Sequence, residues 1–102
     1  MLIPCIRGRA DAPGLTSADQ AGIFASILPA AWSFMLAARA RGLGSCLTTL
    51  HLSYEKEVAD ILEIPYEEIE QVALIPVAYT LGTDFKSGPR TPLENLLHIN
   101  SW

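Results

Sequence analysis

Cationic side chains are scarce in this chain of 102 residues: seven Lys and Arg stand against eleven Asp and Glu, for a formal net charge of −4. Nucleic acids and anionic membrane surfaces are bound by clustered Lys and Arg that displace counterions. Arg7 and Arg9 alone do not make such a cluster, so neither partner is expected. Cysteine is equally sparse. Cys5 and Cys46 form no CxxC and no Cys/His spacing, which excludes a zinc framework and leaves two reduced thiols as the simplest state. No signal peptide is recognisable, because the apolar start "MLIPCI" is short and leads into "RGRADAPG". The longest oily run, 27–38, falls short of a bilayer span and contains Ser33. A cytoplasmic location is expected. Internal repeats and low-complexity linkers are absent too, so residues 1–102 read as one domain.

What the chain does have is apolar substance, 50% hydrophobic against 18% charged residues, enough for a modest globular core. "LIPCI" reads as a short buried strand with Pro4 at an edge or end, followed by a Gly/Pro-containing stretch. Residues 7–25 read as a loop with at most one short helix. Ser17 and Gln20 have capping-box spacing, but Gly22 and Pro29 oppose a long continuation. The strongest element is a helix over 26–42, with Ser26 as cap and Pro29 tolerated in the first turn. Only Ser33, Arg39 and Arg41 are polar between 27 and 41, so this helix lacks a wet face and calls for cover on nearly all sides. Arg39 and Arg41 suit the negative end of its dipole, and Gly42 supplies a left-handed stop.

After the stop, "LGSCLTTLHL" reads as extended chain. "SYEKEVADIL" forms a short helix capped by Ser53, with Val58, Ile61 and Leu62 on its buried side. Residues 71–79 form a second buried strand in which Pro76 marks an edge or bulge. A basic-containing loop and an apolar tail ending in Trp102 close the chain. The fold class is therefore α+β: short β-strands, a central buried helix and a short second helix.

Motifs for chemistry are few. Gly42-Leu43-Gly44 lacks the third glycine of a dinucleotide fingerprint, since Leu47 stands there, and the order of strand and helix is reversed. A helix stop followed by a tight turn accounts for both glycines. His51 and His98 are isolated, and Cys46 lies in an apolar, non-basic stretch that gives a thiolate no support. The carboxylates Glu55, Glu57, Asp60, Glu63, Glu67, Glu68 and Glu70 are most simply a solvated face. Lys86 and Arg90 in their Ser/Gly/Pro loop are either two surface cations or a phosphate contact.

Taken in order, "SILPAAWSFMLAARARGLGSCLTTLH", "EVADILEIPYE", "VALIPVAYTLG" and "PRTPLENLL" followed by Trp102 resemble the C-terminal half of the FMN-dependent nitroreductase family. The resemblance implies a partial nitroreductase-like fold whose other half would precede Met1. It implies FMN as cofactor, with Leu47, Thr48, Thr49 and Leu50 laying their backbone against the isoalloxazine ring and one amide reaching N5. By the same resemblance Arg90, helped by Lys86, pairs with the FMN phosphate, a role suited to a guanidinium fork. NAD(P)H as donor, a nitroaromatic or quinone-like acceptor, and a homodimer or complementary chain complete what it implies. No catalytic side chain is assigned. The competing expectation is a non-catalytic association module or truncated remnant, suggested by the helix without a wet face.

Overall fold

The structure is a computed structural model that describes residues 1–82 and 84–102. In chain order it contains β1 (Cys5–Arg7), α1 (Ser17–Ala40), β2 (Leu43–Ser45), α2 (Glu55–Leu62), β3 (Ile69–Gln71) and β4 (Val77–Tyr79). Short 3₁₀ turns occupy Leu50–Tyr54 and Leu93–Asn95. This is a mixed α/β fold with short antiparallel strands and two α-helices.

Segment 69–79 is the axis of the sheet structure. Its first part pairs antiparallel with β1, Cys5 opposite Gln71 and Arg7 opposite Ile69. Its second part pairs antiparallel with β2, Leu43 opposite Tyr79 and Ser45 opposite Val77. Between them, Ile75 exchanges hydrogen bonds with Leu2 on one side, and Leu74 exchanges them with Thr48 on the other. The expected continuous strand over 71–79 is thus two strands, β3 and β4, joined through residues 72–76. Pro76 has no N–H to continue a ladder, which explains the interruption. The core sits here: Val72, Ala73 and Ile75 are buried, with Ala59 of α2 and Ala31 and Ala38 of α1.

The long helix departs from expectation at its start and in its surroundings. It begins at Ser17, so residues 17–25 are helical rather than loop. The capping box is formed one residue earlier than the spacing of Ser17 and Gln20 suggests: Thr16 Oγ1 accepts from Asp19 N–H, and Asp19 accepts from Thr16 N–H at 2.9 Å. The cap hydrogen bonds hold the Asp19 carboxyl below its ordinary value. Pro29 lies in mid-helix, and Ser33 Oγ donates to the Pro29 carbonyl. At the other end the reading holds, with Arg41 as C-cap and Gly42 at φ 77° closing the helix through its N–H to the Arg39 carbonyl.

The helix is not buried. Only Ala31 and Ala38 are, while Leu28, Trp32 and Leu36, spaced four apart along one stripe, are exposed. Its 24 residues also correct the judgement that the oily run is too short for a bilayer, since α1 is long and apolar enough to cross one. In α2 the buried residue is Ala59, and Ile61 and Leu62 face solvent instead of the core. Tyr54 occupies the N-cap position expected for Ser53 and makes no side-chain cap bond.

The N-terminal loop is tied to α2 by charge. Arg9 forms a fork on Glu55 (Nη1 to Oε1 3.1 Å, Nη2 to Oε2 3.0 Å), adds a second pair with Asp11 and lies 4.3 Å over the Tyr66 ring. Glu55 Oε1 also accepts from Gln71 N–H at 2.9 Å, and Gln71 Nε2 donates to the Glu55 carbonyl. Ala10 N–H donates to the Glu70 carboxylate. Glu55 and Glu70 are therefore structural ties and leave the solvated acidic face expected of them. The bond to Asp11, and then those to Glu55, hold the Arg9 guanidinium above its ordinary pKa, and Arg9 in turn holds the Asp11 carboxyl below its ordinary value. A depressed carboxyl contributes stability that is present above its unfolded pKa and is lost as pH falls through the folded one.

Because both side chains of the Arg9–Glu55 pair are mostly buried, Arg9→Ala strands a carboxylate and lowers unfolding stability by about 3 kcal/mol in urea titrations at pH 7. The part of the deficit carried by Asp11 is lost as pH falls below the ordinary aspartate value and through the depressed folded one. A loss under about 0.5 kcal/mol at pH 7 contradicts this role.

Candidate functional site

The turn after α1 sets up the site. Gly42 reverses the chain, and Gly44 lets β2 lie close to β4: a Cβ at Gly44 would collide with Thr80 Cγ2, whose rotamer is held by Thr80 Oγ1 donating to the Gly82 carbonyl at 2.7 Å. The register of β2 on β4 carries on to the Thr48–Leu74 pair, which puts Cys46 opposite Pro76.

That pairing decides which amides of the predicted ring-binding segment are free. Thr48 N–H donates to Leu74 O at 3.0 Å, and Leu74 N–H donates to Thr48 O at 2.8 Å. Leu50 N–H donates to Thr48 Oγ1 at 3.3 Å, and Leu50 itself opens a 3₁₀ turn in place of the extended chain expected there. Successive amides of extended chain point to opposite sides. Among the described residues, the N–H groups of Cys46, Leu47 and Thr49 have no protein acceptor. Leu47, Thr49 and Leu50 are exposed, and Thr48 is half-buried. Four residues expected to act together thus divide into two with spent donors and two with available ones.

Lys86 and Arg90 lie in exposed chain beyond β4. Arg90 Nη1 donates to the Pro89 carbonyl at 2.9 Å and packs against Gly88, so its guanidinium is folded onto its own loop. Among the described residues no hydrogen bond or ion pair joins either cation to 47–50.

An open, mostly apolar cleft of about 550 Å³ lies beside this segment, between α1 and the β2–β4 pair. Trp32, Leu36 and Arg39 form one wall, Gly44–Cys46 and Tyr79 another, and Phe85 closes over Arg39 with its ring 4.9 Å from the guanidinium carbon. None of Leu47, Thr48, Thr49, Leu50, Lys86 and Arg90 lines it. Arg39, read from sequence only as a complement to the helix dipole, is the cation of this cleft among the described residues. Its position depends on α1 packing across β2, which no local pattern announces. Burial pushes the Cys5 thiol up, with the Glu55 charge adding to it, so its surroundings do not set it up as a nucleophile. No cluster of His, Cys, Asp and Glu able to hold a metal ion occurs among the described residues.

The nitroreductase family model matches residues 10–79, from the loop that carries Asp11 to the end of β4. The chain belongs to the nitroreductase family. Comparison with curated proteins gives no match. Within this family the two regions of interest differ in standing: Leu47–Leu50 lie inside the matched span, whereas Lys86 and Arg90 lie beyond it. Membership supports an oxidoreductase role at the family level.

Gly44→Ala pushes Thr80 off its position and separates β2 from β4, lowering stability by about 2 kcal/mol. Adding Thr80→Ser removes the colliding methyl and keeps the hydroxyl, so the double variant recovers most of the loss in urea melts. Absence of recovery would show that Thr80 is not what Gly44 accommodates.

Proposed function

We propose that this chain is an FMN-dependent oxidoreductase of nitroreductase type, passing electrons from NAD(P)H through the flavin to a nitroaromatic, quinone or similar acceptor. The single observation that carries the reading is the pair of unspent amides at Leu47 and Thr49 on a chain edge pinned by Thr48 and Leu74, within the span matched by the family. Such an edge fits the rim of a flat, acceptor-rich ring: two donors of fixed direction and no bulky polar side chain between them. When bound, FMN supplies the hydride and electron chemistry, and the protein supplies binding and orientation.

The chain's own residues then have distinct tasks. Leu47 and Thr49 present amides to the ring, while Thr48 spends its backbone groups holding the edge still. Arg90 and Lys86 are the cations proposed for the phosphate, and Arg90 must leave the Pro89 carbonyl to reach it. No side chain of this segment is assigned a proton transfer. The reading includes a cytoplasmic location and a second copy or complementary chain against the exposed stripe of α1.

A second reading, a non-catalytic association module, is favoured by the extent of that uncovered apolar surface, on Leu28, Trp32 and Leu36 of α1 and on Leu81 beyond β4. The two readings separate on one observation. Purified protein mixed with FMN and passed through gel filtration retains flavin absorbance in the protein fraction, and Arg90→Ala lowers FMN affinity by at least about tenfold, as loss of a charge-assisted fork requires. A colourless protein fraction supports the association module. Unchanged affinity in Arg90→Ala removes that residue from the phosphate role.

A further inference from the structure

We propose that the cleft between α1 and the β2–β4 pair is a binding site for a small aromatic monocarboxylate, its ring held among Trp32, Tyr79 and Phe85 and its carboxylate forked by Arg39. This site is distinct from the 47–50 edge, and its occupancy does not depend on flavin.

A comparison of two arginines within the chain points to the missing group. Arg9 lies 4.3 Å over the Tyr66 ring and places its fork on the Glu55 carboxylate, with Nη1 to Oε1 at 3.1 Å and Nη2 to Oε2 at 3.0 Å. Arg39 repeats the first half of this arrangement, 4.9 Å over the Phe85 ring. The second half is absent: among the described residues Arg39 has no carboxylate partner, and no Asp or Glu lines the cleft. Contact with a ring face leaves guanidinium N–H groups for an acceptor, and they are set as a planar fork that matches a carboxylate.

The walls select the body of the ligand. Of the chain's two Trp, three Tyr and three Phe, one of each lines this cleft. All three rings are open to contact, with Trp32 60%, Tyr79 84% and Phe85 62% exposed. Rings favour offset or edge-to-face contact with another ring, an attraction that adds to burial of their area. An alkyl chain gains the burial alone. The hollow of about 550 Å³ falls within the range of small-molecule sites, roughly 300–1,000 Å³, and apolar walls around one charged group are the usual make-up of such sites.

The position of the cleft limits the charge. Trp32, Leu36 and Arg39 belong to the last turns of α1, where the helix dipole leaves partial negative charge. Arg39 is the one cation among the described lining residues, so a single carboxylate is matched there and a phosphate dianion is not.

The test uses the full chain in flavin-free buffer, with naphthoate as probe, isothermal titration calorimetry as readout and circular dichroism to verify the helices. Wild type is expected to bind naphthoate with a Kd on the order of 0.1 mM. Octanoate, which has the charge without the ring, and naphthyl phosphate, which has the ring with a second charge, each bind at least about threefold more weakly. Naphthylmethanol, which has the ring without the charge, binds at least about tenfold more weakly. Arg39→Gln lowers naphthoate affinity at least about tenfold and leaves naphthylmethanol within about twofold, a split that general loosening of the fold does not produce. Arg39→Lys keeps the charge without the fork and falls between wild type and Arg39→Gln. Saturating naphthoate also slows iodoacetamide alkylation of Cys46, which is exposed and lines the cleft, and leaves that of Cys5 on β1 unchanged. Absence of naphthoate binding, equal binding of any of the three other probes, unchanged affinity in Arg39→Gln, or an unprotected Cys46 would each overturn the proposal. The probe series on wild type decides the case if a variant misfolds. Flavin retention is scored separately, so the cofactor reading stands or falls on its own.

Discussion

The reciprocal hydrogen bonds between Thr48 and Leu74 are the constraint on which the functional reading depends. They extend the β2–β4 pairing past the point where Pro76 cannot contribute, and so keep the chain after Gly44 from drifting away from the sheet. Because they consume both backbone groups of Thr48, the neighbouring amides turn outward. The same close pairing needs Gly44 without a side chain beneath Thr80. Unspent donors here are a by-product of strand register, which is why side-chain motifs give so little warning of them.

Stability and site are built from different materials. The apolar interior is small and gathered around Val72, Ala73 and Ile75, so a polar lattice carries part of the load: Arg9 on Glu55, Glu55 on the Gln71 backbone, and Glu70 on Ala10. This lattice fixes the N-terminal loop and α2 to segment 69–79, whose Leu74 also anchors Thr48. The uncovered face of α1 lies outside it. A helix with apolar residues on every side needs more cover than the sheet segments of residues 1–102 provide.

Local chemistry is legible in the sequence and tertiary placement is not. Gly42 as a helix stop, the helix before it and a short second helix follow from propensity and backbone rules, and all are present, whereas Pro76 reads in the sequence as an edge or bulge within one strand and not as part of the break between β3 and β4. The start of α1 escapes such a reading because Gly22 and Pro29 count as breakers, while the Thr16–Asp19 box and the apolar run carry the helix through both. Burial of α1, Ile61 and Leu62 is overestimated because an apolar pattern shows what needs cover and not what is present to provide it. Glu55 and Arg39 mislead for the same reason, since ion pairs and cleft walls join residues far apart in the chain. Of the ordered phrases that resemble the nitroreductase family, the first three fall largely within the matched span 10–79 and "PRTPLENLL" lies beyond it, and the division of Leu47–Leu50 into spent and free amides depends on the Thr48–Leu74 pair, which only the fold reveals.

The most direct test follows backbone amide resonances of the labelled protein as FMN is added. The amides of Leu47 and Thr49 are expected to shift with saturation, and those of Thr48 and Leu50, already committed to Leu74 and the Thr48 hydroxyl, to move least. Large shifts at Thr48 and Leu50 with none at Leu47 and Thr49, or no shift anywhere in 47–50 while flavin binds elsewhere, would contradict the account.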